Sequence, residues 1–217
     1  MIERIKLLNP EELAAIRSLI PLLDFSATES LHVGQNNTEA VKDENAMAIA
    51  QTAATAFGRH PVRLYCQTSV IENWIISKTE AGQEFLPHHD NPRLGHFSVS
   101  LYLSDSESYE GGEICLMPND EEIKFKPEAG EAVIYDTGVP HRVSRVESGT
   151  RVVCILWIKS ACLDPAMRTT LGHLLTAHNM MEGSNKWSSF EEAKQDPKFV
   201  LGLGLSRLLS QYAPGYN

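Results

Sequence analysis

Two histidines, one aspartate and one arginine carry the chemistry this sequence offers. His88 and Asp90 fall in Phe85-Leu86-Pro87-His88-His89-Asp90-Asn91, His141 opens His141-Arg142-Val143, and Arg151 leads into Val152-Val153-Cys154-Ile155-Leu156-Trp157. Two imidazoles and a carboxylate on one face of an octahedron make the donor set of a non-haem ferrous site with open coordination positions. An arginine fork matches a carboxylate bidentately, so the fourth residue suits an acidic ligand held at a distance from the metal.

The spacing decides how far each residue can be trusted. Alternate side chains of a strand share a face, so His88 and Asp90 can address one ion while His89 turns away. Composition alone yields about one His-x-acid triplet in a chain with 8 His and 28 acidic residues, and the chain has one. That pair is therefore uninformative until His141 and Arg151 are added. A hairpin returning through residues 146–150 would pair Arg145 with Arg151 and His141 with Ile155. His141 and Arg151 would then share a face about 13 Å apart, a span that a metal-bound dicarboxylate and an arginine could bridge. The rival for Arg151 is a surface ion pair with Asp136 or Glu147, and His88 beside Pro87 has the rival of an ordinary surface histidine.

Elements able to position these residues can be read on either side. Asn9-Pro10-Glu11-Glu12 is a helix start, with an Asn cap, proline in the first turn and acids near the positive end of the helix dipole. Leu13, Ile16, Leu19 and Ile20 repeat at helical spacing, and Pro21 ends the run. An alanine-rich helix is expected over residues 38–57 with Gly58 as its cap, and residues 31–37 read as a loop or weak edge strand. From Pro61 the texture turns β-branched and aromatic. Strands are expected over 62–65, 70–76, 97–103, 112–117, 123–125, 132–135, 141–146 and 151–158, with turn residues between them. Short strands at this spacing predict a sandwich or jelly roll. Helices return after Asp164-Pro165 and again over residues 200–209. The expectation is one domain over 1–217: helical support over 1–60, a β core over 61–160 and a C-terminal helical extension over 161–217.

Composition narrows the partners. A net charge of −9, from 19 basic and 28 acidic residues, disfavours nucleic acid. Cys66, Cys115, Cys154 and Cys162 show no CxxC spacing; they read as free thiols of a reducing compartment, although four thiols also allow two bridges. The N-terminus lacks the apolar region of a signal peptide, and no apolar run is long enough for a membrane span. A cytoplasmic protein with neither a nucleic-acid nor a membrane partner is expected.

At these residues the sequence resembles the iron(II)- and 2-oxoglutarate-dependent dioxygenases, specifically the prolyl 4-hydroxylase-like branch with its PKHD-type hydroxylases. The matching stretches are His88-His89-Asp90-Asn91, Ser98-Val99-Ser100-Leu101-Tyr102-Leu103-Ser104-Asp105, Tyr109-Glu110-Gly111-Gly112-Glu113, and His141-Arg142-Val143 with Arg151 to Ser160. They cover about a third of the chain. The resemblance implies a mainly β fold with flanking helices, a double-stranded β-helix (jelly roll) packed by N- and C-terminal helices. It implies His88, Asp90 and His141 as Fe(II) ligands, with no catalytic residue beyond them, and Arg151 on the distal carboxylate of 2-oxoglutarate. Tyr102 would hydrogen-bond the same carboxylate, Val143 and Trp157 would line that pocket, and ascorbate is a candidate reductant. Two positions depart from the family pattern: Lys78-Thr79 and Phe85 stand where relatives often carry tyrosine.

The implied activity hydroxylates a carbon of a prolyl, other peptidyl or amino-acid substrate with O2, releasing succinate and CO2. The same strands and ligands would also serve a cupin-like protein that binds a metal and a small acid, or senses them, without turnover. A zinc or manganese isomerase or hydrolase is the third reading, against which Arg151 argues because it has no part in activating water. The segments over residues 31–38, 83–86 and 92–95 are candidates for the substrate mouth, and Gly111-Gly112 for a tight turn beside the site.

Overall fold

The computed structural model describes residues 1–27, 37–183 and 187–216. In chain order the elements are β1 (Ile2–Lys6), α1 (Pro10–Leu19), β2 (Phe25–Ala27), β3 (Thr38–Ala40), α2 (Glu44–Arg59), α3 (Val62–Cys66), β4 (Thr68–Glu80) and β5 (Phe85–His88). There follow β6 (Phe97–Tyr102), β7 (Tyr109–Gly111), β8 (Ile114–Leu116), β9 (Ile123–Phe125), β10 (Glu131–Asp136), β11 (His141–Val143) and β12 (Val146–Ser160). Helices α4 (Pro165–Met180), α5 (Phe190–Ala193) and α6 (Pro197–Tyr212) complete the chain.

Two antiparallel sheets form the jelly roll. One runs β1-β10-β6-β12-β4-β3-β2, with β7 added against β12; the other runs β5-β11-β8-β9. Strand alternation explains what each presents. On β6, Ser98, Ser100 and Tyr102 share one face; on β12, Trp157, Ile155 and Val153 lie directly opposite them in register, and Arg151 follows by alternation along the same strand. Tyr102, Val133, Tyr135 and Val153 meet Ile114 and Leu116 in one buried cluster. Inward residues of this core are apolar except along one strip, and that strip is the site.

The chain divides into two compact units. Met1–Gly58 with Ile71–Ile158 forms one, and Arg59–Val70 with Lys159–Asn217 forms the other. In the second unit Cys162, Leu171, Leu175, Leu205 and Ala213 make the core. Asp164 caps α4 by accepting from Met167 N at 2.7 Å, and Asp196 caps α6 by accepting from Lys198 N at 2.9 Å.

Local chemistry accounts for the helix starts. Asn9 Oδ1 accepts from Glu12 N (2.8 Å) while Glu12 Oε2 accepts from Asn9 N (3.0 Å), a reciprocal capping box at the predicted place. The alanine-rich helix begins at Glu44 rather than residue 38, because Asp43 Oδ1 takes the Ala46 N–H (2.8 Å) and leaves Thr38–Ala40 to pair as a strand. Gly58 lies inside that helix.

Residues 62–65, expected as a strand, form helix α3. His60 Nδ1 accepts from Val62 N at 3.2 Å, and Gln67 closes the turn in the left-handed region at φ 40°. The helix lies against α4 where Gly172 permits close approach: a Cβ there would stand 2.7 Å from the Tyr65 carbonyl oxygen. Burial of its apolar residues outweighs their β propensity. β1 was not expected as a strand, and it pairs along its length with β10. All four cysteines are free and buried. Among the described residues no helix is long and apolar enough to cross a membrane.

Candidate functional site

His88 ends β5 and His141 begins β11, and the two are register partners across that strand pair. The expected hairpin between His141 and Ile155 does not form. β11 instead lies between β5 and β8, while β12, carrying Arg151, pairs with β6 in the other sheet. Nor does Asp90 share a strand face with His88; the strand has ended, and Asp90 sits in the irregular segment that follows. Its carboxylate reaches the histidines because other residues hold it there.

Those residues are Ser98 and Trp157. Ser98 Oγ donates to Asp90 Oδ2 at 2.7 Å, and Trp157 Nε1 donates to the same oxygen at 2.9 Å. Oδ1 is left facing His88 Nε2 at 3.8 Å and His141 Nε2 at 3.7 Å. Each imidazole is set in the same way. His88 Nδ1 lies 2.8 Å from the Leu86 carbonyl oxygen, and His141 Nδ1 lies 2.9 Å from that of Val139. A carbonyl only accepts, so each Nδ1 carries the proton and each Nε2 turns its lone pair inward. One ligand atom from each of the three residues falls within 4.8 Å of the others, a group able to hold a divalent metal with an open side.

A cavity of about 350 Å³ runs from this cluster, lined by His88, Asp90 and His141 together with Ser100, Tyr135 and Arg151. That is at the lower end of the range for small-molecule sites, about 300–1,000 Å³. Tyr135 is fully buried and hydrogen-bonded with Ser100 and Ser98. Burial first, then the negative charge of Asp90, holds its phenol well above the ordinary tyrosine range, so it serves as a neutral wall.

Arg151 is 3% exposed. Its Nη2 donates to Tyr102 Oη at 3.2 Å, and its guanidinium lies over the Tyr102 ring, 5.0 Å from the centroid. Among the described residues no carboxylate pairs with it, which removes the surface ion pair with Asp136 or Glu147. Asp136 instead pairs with the N-terminal amine. Arg151 Nε and Tyr109 Oη are the buried side-chain polar atoms without a hydrogen-bond partner among the described residues. Both flank Gly112, where a Cβ would stand 3.0 Å from the Tyr109 ring and 3.1 Å from Arg151 Cδ. A buried cation with an orphaned donor is costly unless an anion completes it. An acid able to meet a metal at the cluster and also reach Arg151 would suit a cavity lined by both.

Val143 and Trp157 line the cavity; Tyr102 stands behind Arg151. Thr79 and Phe85 are also on the wall, whereas Lys78 points away, over the Phe25 ring and toward Glu80. Of the expected mouth segments, Phe85 and Leu94 contribute to the lining; residues 31–36 lie outside the described residues, and Asn37 beyond them contributes too. Ser98, Ser100 and Tyr109 fall in the stretches that carry the resemblance but have no role assigned from the sequence, and Tyr135 is not singled out there. Ser98 and Ser100 carry a usable signal, since small hydroxyls at alternate positions of an otherwise apolar strand mark a polar inner face.

Residues 74–159, which include all four of the opening residues, match the family model described as the 2OG-Fe(II) oxygenase superfamily. Over 220 residues the chain is 30% identical to a PKHD-type hydroxylase of Acaryochloris marina, covering 96% of this chain and 97% of the relative. Among solved structures it resembles a 2OG-Fe(II) oxygenase-family oxidoreductase from Burkholderia pseudomallei, with TM-score 0.56, 18% identity, and coverage of 73% of this chain and 84% of the other. It also resembles a prolyl hydroxylase from Trichoplax adhaerens, solved with a peptide fragment of the hypoxia inducible factor oxygen degradation domain. There the TM-score is 0.56 at 17% identity, covering 78% of this chain and 86% of that one. At these identities the structural likenesses speak for the fold.

Proposed function

The chain belongs to the PKHD-type hydroxylases of the 2OG-Fe(II) oxygenase superfamily, and we propose that it hydroxylates a carbon of a prolyl, other peptidyl or amino-acid substrate, with release of succinate and CO2. In this reading His88, Asp90 and His141 hold Fe(II), and Arg151 binds the distal carboxylate of 2-oxoglutarate. Residues 1–217 act as one oxygenase domain, and ascorbate serves as reductant. The observation that carries it is the buried Arg151, without a carboxylate partner among the described residues, in the cavity that the His–Asp–His cluster also lines. Bound iron and 2-oxoglutarate supply the oxidising power: O2 gives one atom to succinate and one to the new hydroxyl as the 2-oxo acid loses CO2.

The chain's own residues position and insulate. Ser98 and Trp157 fix Asp90 through Oδ2, so that Oδ1 alone is offered inward. The Leu86 and Val139 carbonyls fix both imidazoles. Arg151 places the acid's far end, and Tyr102 steadies the guanidinium. Ile114, Val143 and Ile155 keep the middle of the cavity apolar, which restrains water from the reacting end. The peptide bound by the Trichoplax prolyl hydroxylase supports a peptidyl substrate as the first class to try.

The test is turnover. Purified protein with Fe(II), labelled 2-oxoglutarate and air should release labelled CO2 and succinate, faster in the presence of a substrate that gains one oxygen atom by mass. His141→Ala should abolish this. Metal and 2-oxoglutarate binding without succinate across a broad peptide and amino-acid panel would replace the hydroxylase with a binding protein.

A further inference from the structure

Glu39 stands on the cavity wall, with no hydrogen-bond or ion-pair partner among the described residues. β3 pairs with β4 so that Glu39 lies opposite Ser77. Its side chain therefore shares the face on which Ile75, Ser77 and Thr79 line the cavity. Asn37, on the same face two residues earlier, donates from Nδ2 to Ser77 Oγ at 2.8 Å, which holds this edge of the wall in place. Glu39 and Asp90 are the two carboxylates lining the cavity among the described residues. Asp90 is committed to the histidine cluster; Glu39 has no such commitment among the described residues.

The nearby cation does not neutralise it. Lys42 exerts an attractive field on Glu39, but its Nζ sits over the Trp74 ring, 4.7 Å from the centroid. Trp74 adjoins Ile75 on β4 and so faces away from the cavity. Among the described residues no hydrogen bond or ion pair reaches the Glu39 carboxylate. Burial raises its pKa above the ordinary glutamate value, as expected of a carboxylate half-withdrawn from water with no donor in return.

We propose that Glu39 selects substrates carrying a protonated alkylamine near the carbon that is hydroxylated. The inference rests on the oxygenase reading above, which assigns the histidines, Asp90 and Arg151 to metal and cosubstrate and leaves Glu39 to face the substrate. A neutral substrate covering Glu39 would strip its remaining water and return nothing. An anionic one would be repelled. An ammonium supplies both charge and N–H donors, so the carboxylate rejects the first two classes as well as attracting the third. The net charge of −9 favours the approach of a cation as well. The ammonium can come from the α-amine of a free amino acid or from a lysyl side chain in a peptide.

The experiment uses the full chain loaded anaerobically with Fe(II) and 2-oxoglutarate, reading probe binding from the change each probe makes in the visible band. One pair of probes is L-leucine and N-acetyl-L-leucine. The other is acetyl-Gly-Lys-Gly-amide and its Nε-acetyl-lysyl counterpart. In wild type at least one ammonium probe should bind at least ten-fold tighter than its acetylated partner, and the pair that does so identifies the source. Glu39→Gln should bring that ratio within two-fold, and Glu39→Asp should restore part of it. Equal binding of charged and acetylated probes in wild type, or a ratio unchanged in Glu39→Gln, overturns the inference. The 2-oxoglutarate titration of each variant separates the two failures. A normal band with no preference sinks Glu39 alone, whereas no band in wild type sinks the oxygenase reading beneath it and this inference with it.

Discussion

Replacing Trp157 with phenylalanine removes the indole N–H together with the five-membered ring that bears it, and keeps an aromatic ring on the strand. A smaller ring stays on the inner face of β12, and the 2.9 Å donation to Asp90 Oδ2 is gone. A hydrogen bond to a charged acceptor contributes about 1.5–3 kcal/mol, and Ser98 Oγ, at 2.7 Å, still holds the same oxygen. The lower part of that range therefore applies, and about 1.4 kcal/mol is a factor of ten in affinity. Trp157→Phe should weaken divalent-metal binding about ten- to thirty-fold, within the 10–100-fold typical of residues that orient metal ligands. Competition against a chromophoric chelator, with Mn(II) or anaerobic Fe(II), reads this directly, and circular dichroism checks the fold. Ser98→Ala should act in the same direction. The double variant should lose more than either single one, because Oδ2 then has neither donor. Metal affinity within two-fold of wild type in both single variants would refute the claim that Asp90 is held through Oδ2. A loss of 2-oxoglutarate affinity with metal affinity intact would return Trp157 to the role of cosubstrate wall.

Three further outcomes follow from other parts of the molecule. Gly111→Ala places a Cβ 1.9 Å from the Arg145 carbonyl oxygen at a φ of +71°, so chemical denaturation should show a loss of more than about 2 kcal/mol. Tyr109→Phe deletes a buried hydroxyl that has no partner among the described residues; without added ligand, its thermal midpoint should equal or exceed that of wild type, and a clear loss would reveal a partner. Glu39 has a folded-state pKa raised by burial, so its contribution to stability is fully present below the unfolded value and is lost as pH rises through the folded one. The stability of Glu39→Gln relative to wild type should therefore increase from pH 4 to pH 7, and a decrease would mean the carboxylate has a cationic partner.

The residues of the candidate site could be picked out in the sequence, and their geometry could not. His88, Asp90, His141 and Arg151 could be chosen because metal ligands and an arginine fork are chemically distinctive residue types. Neither the shared strand face nor the hairpin that would join them forms, however. Asp90 meets the histidines through Ser98 and Trp157, which lie 8 and 67 residues away along the chain. His141 and Arg151 sit in different sheets rather than on one hairpin. Glu39 was invisible for the same reason, since its place is fixed by pairing with Ser77, and no local pattern encodes that register. Strands long enough to show alternation, such as β6 and β12, were readable. The three-residue β3, and the one turn of helix at Val62–Cys66, took their conformation from what they pack against.

The most direct test of the central claim is the visible band that forms when Fe(II) and 2-oxoglutarate are added together without oxygen. Wild type should develop it at a one-to-one ratio of metal to protein. His141→Ala should lose it. Arg151→Ala should keep the same band but need about 100-fold more 2-oxoglutarate, the cost of a charge-assisted bidentate grip. No band in folded wild type, or an Arg151→Ala titration that overlays wild type, would contradict the account of this cavity as a site for iron and a 2-oxo diacid.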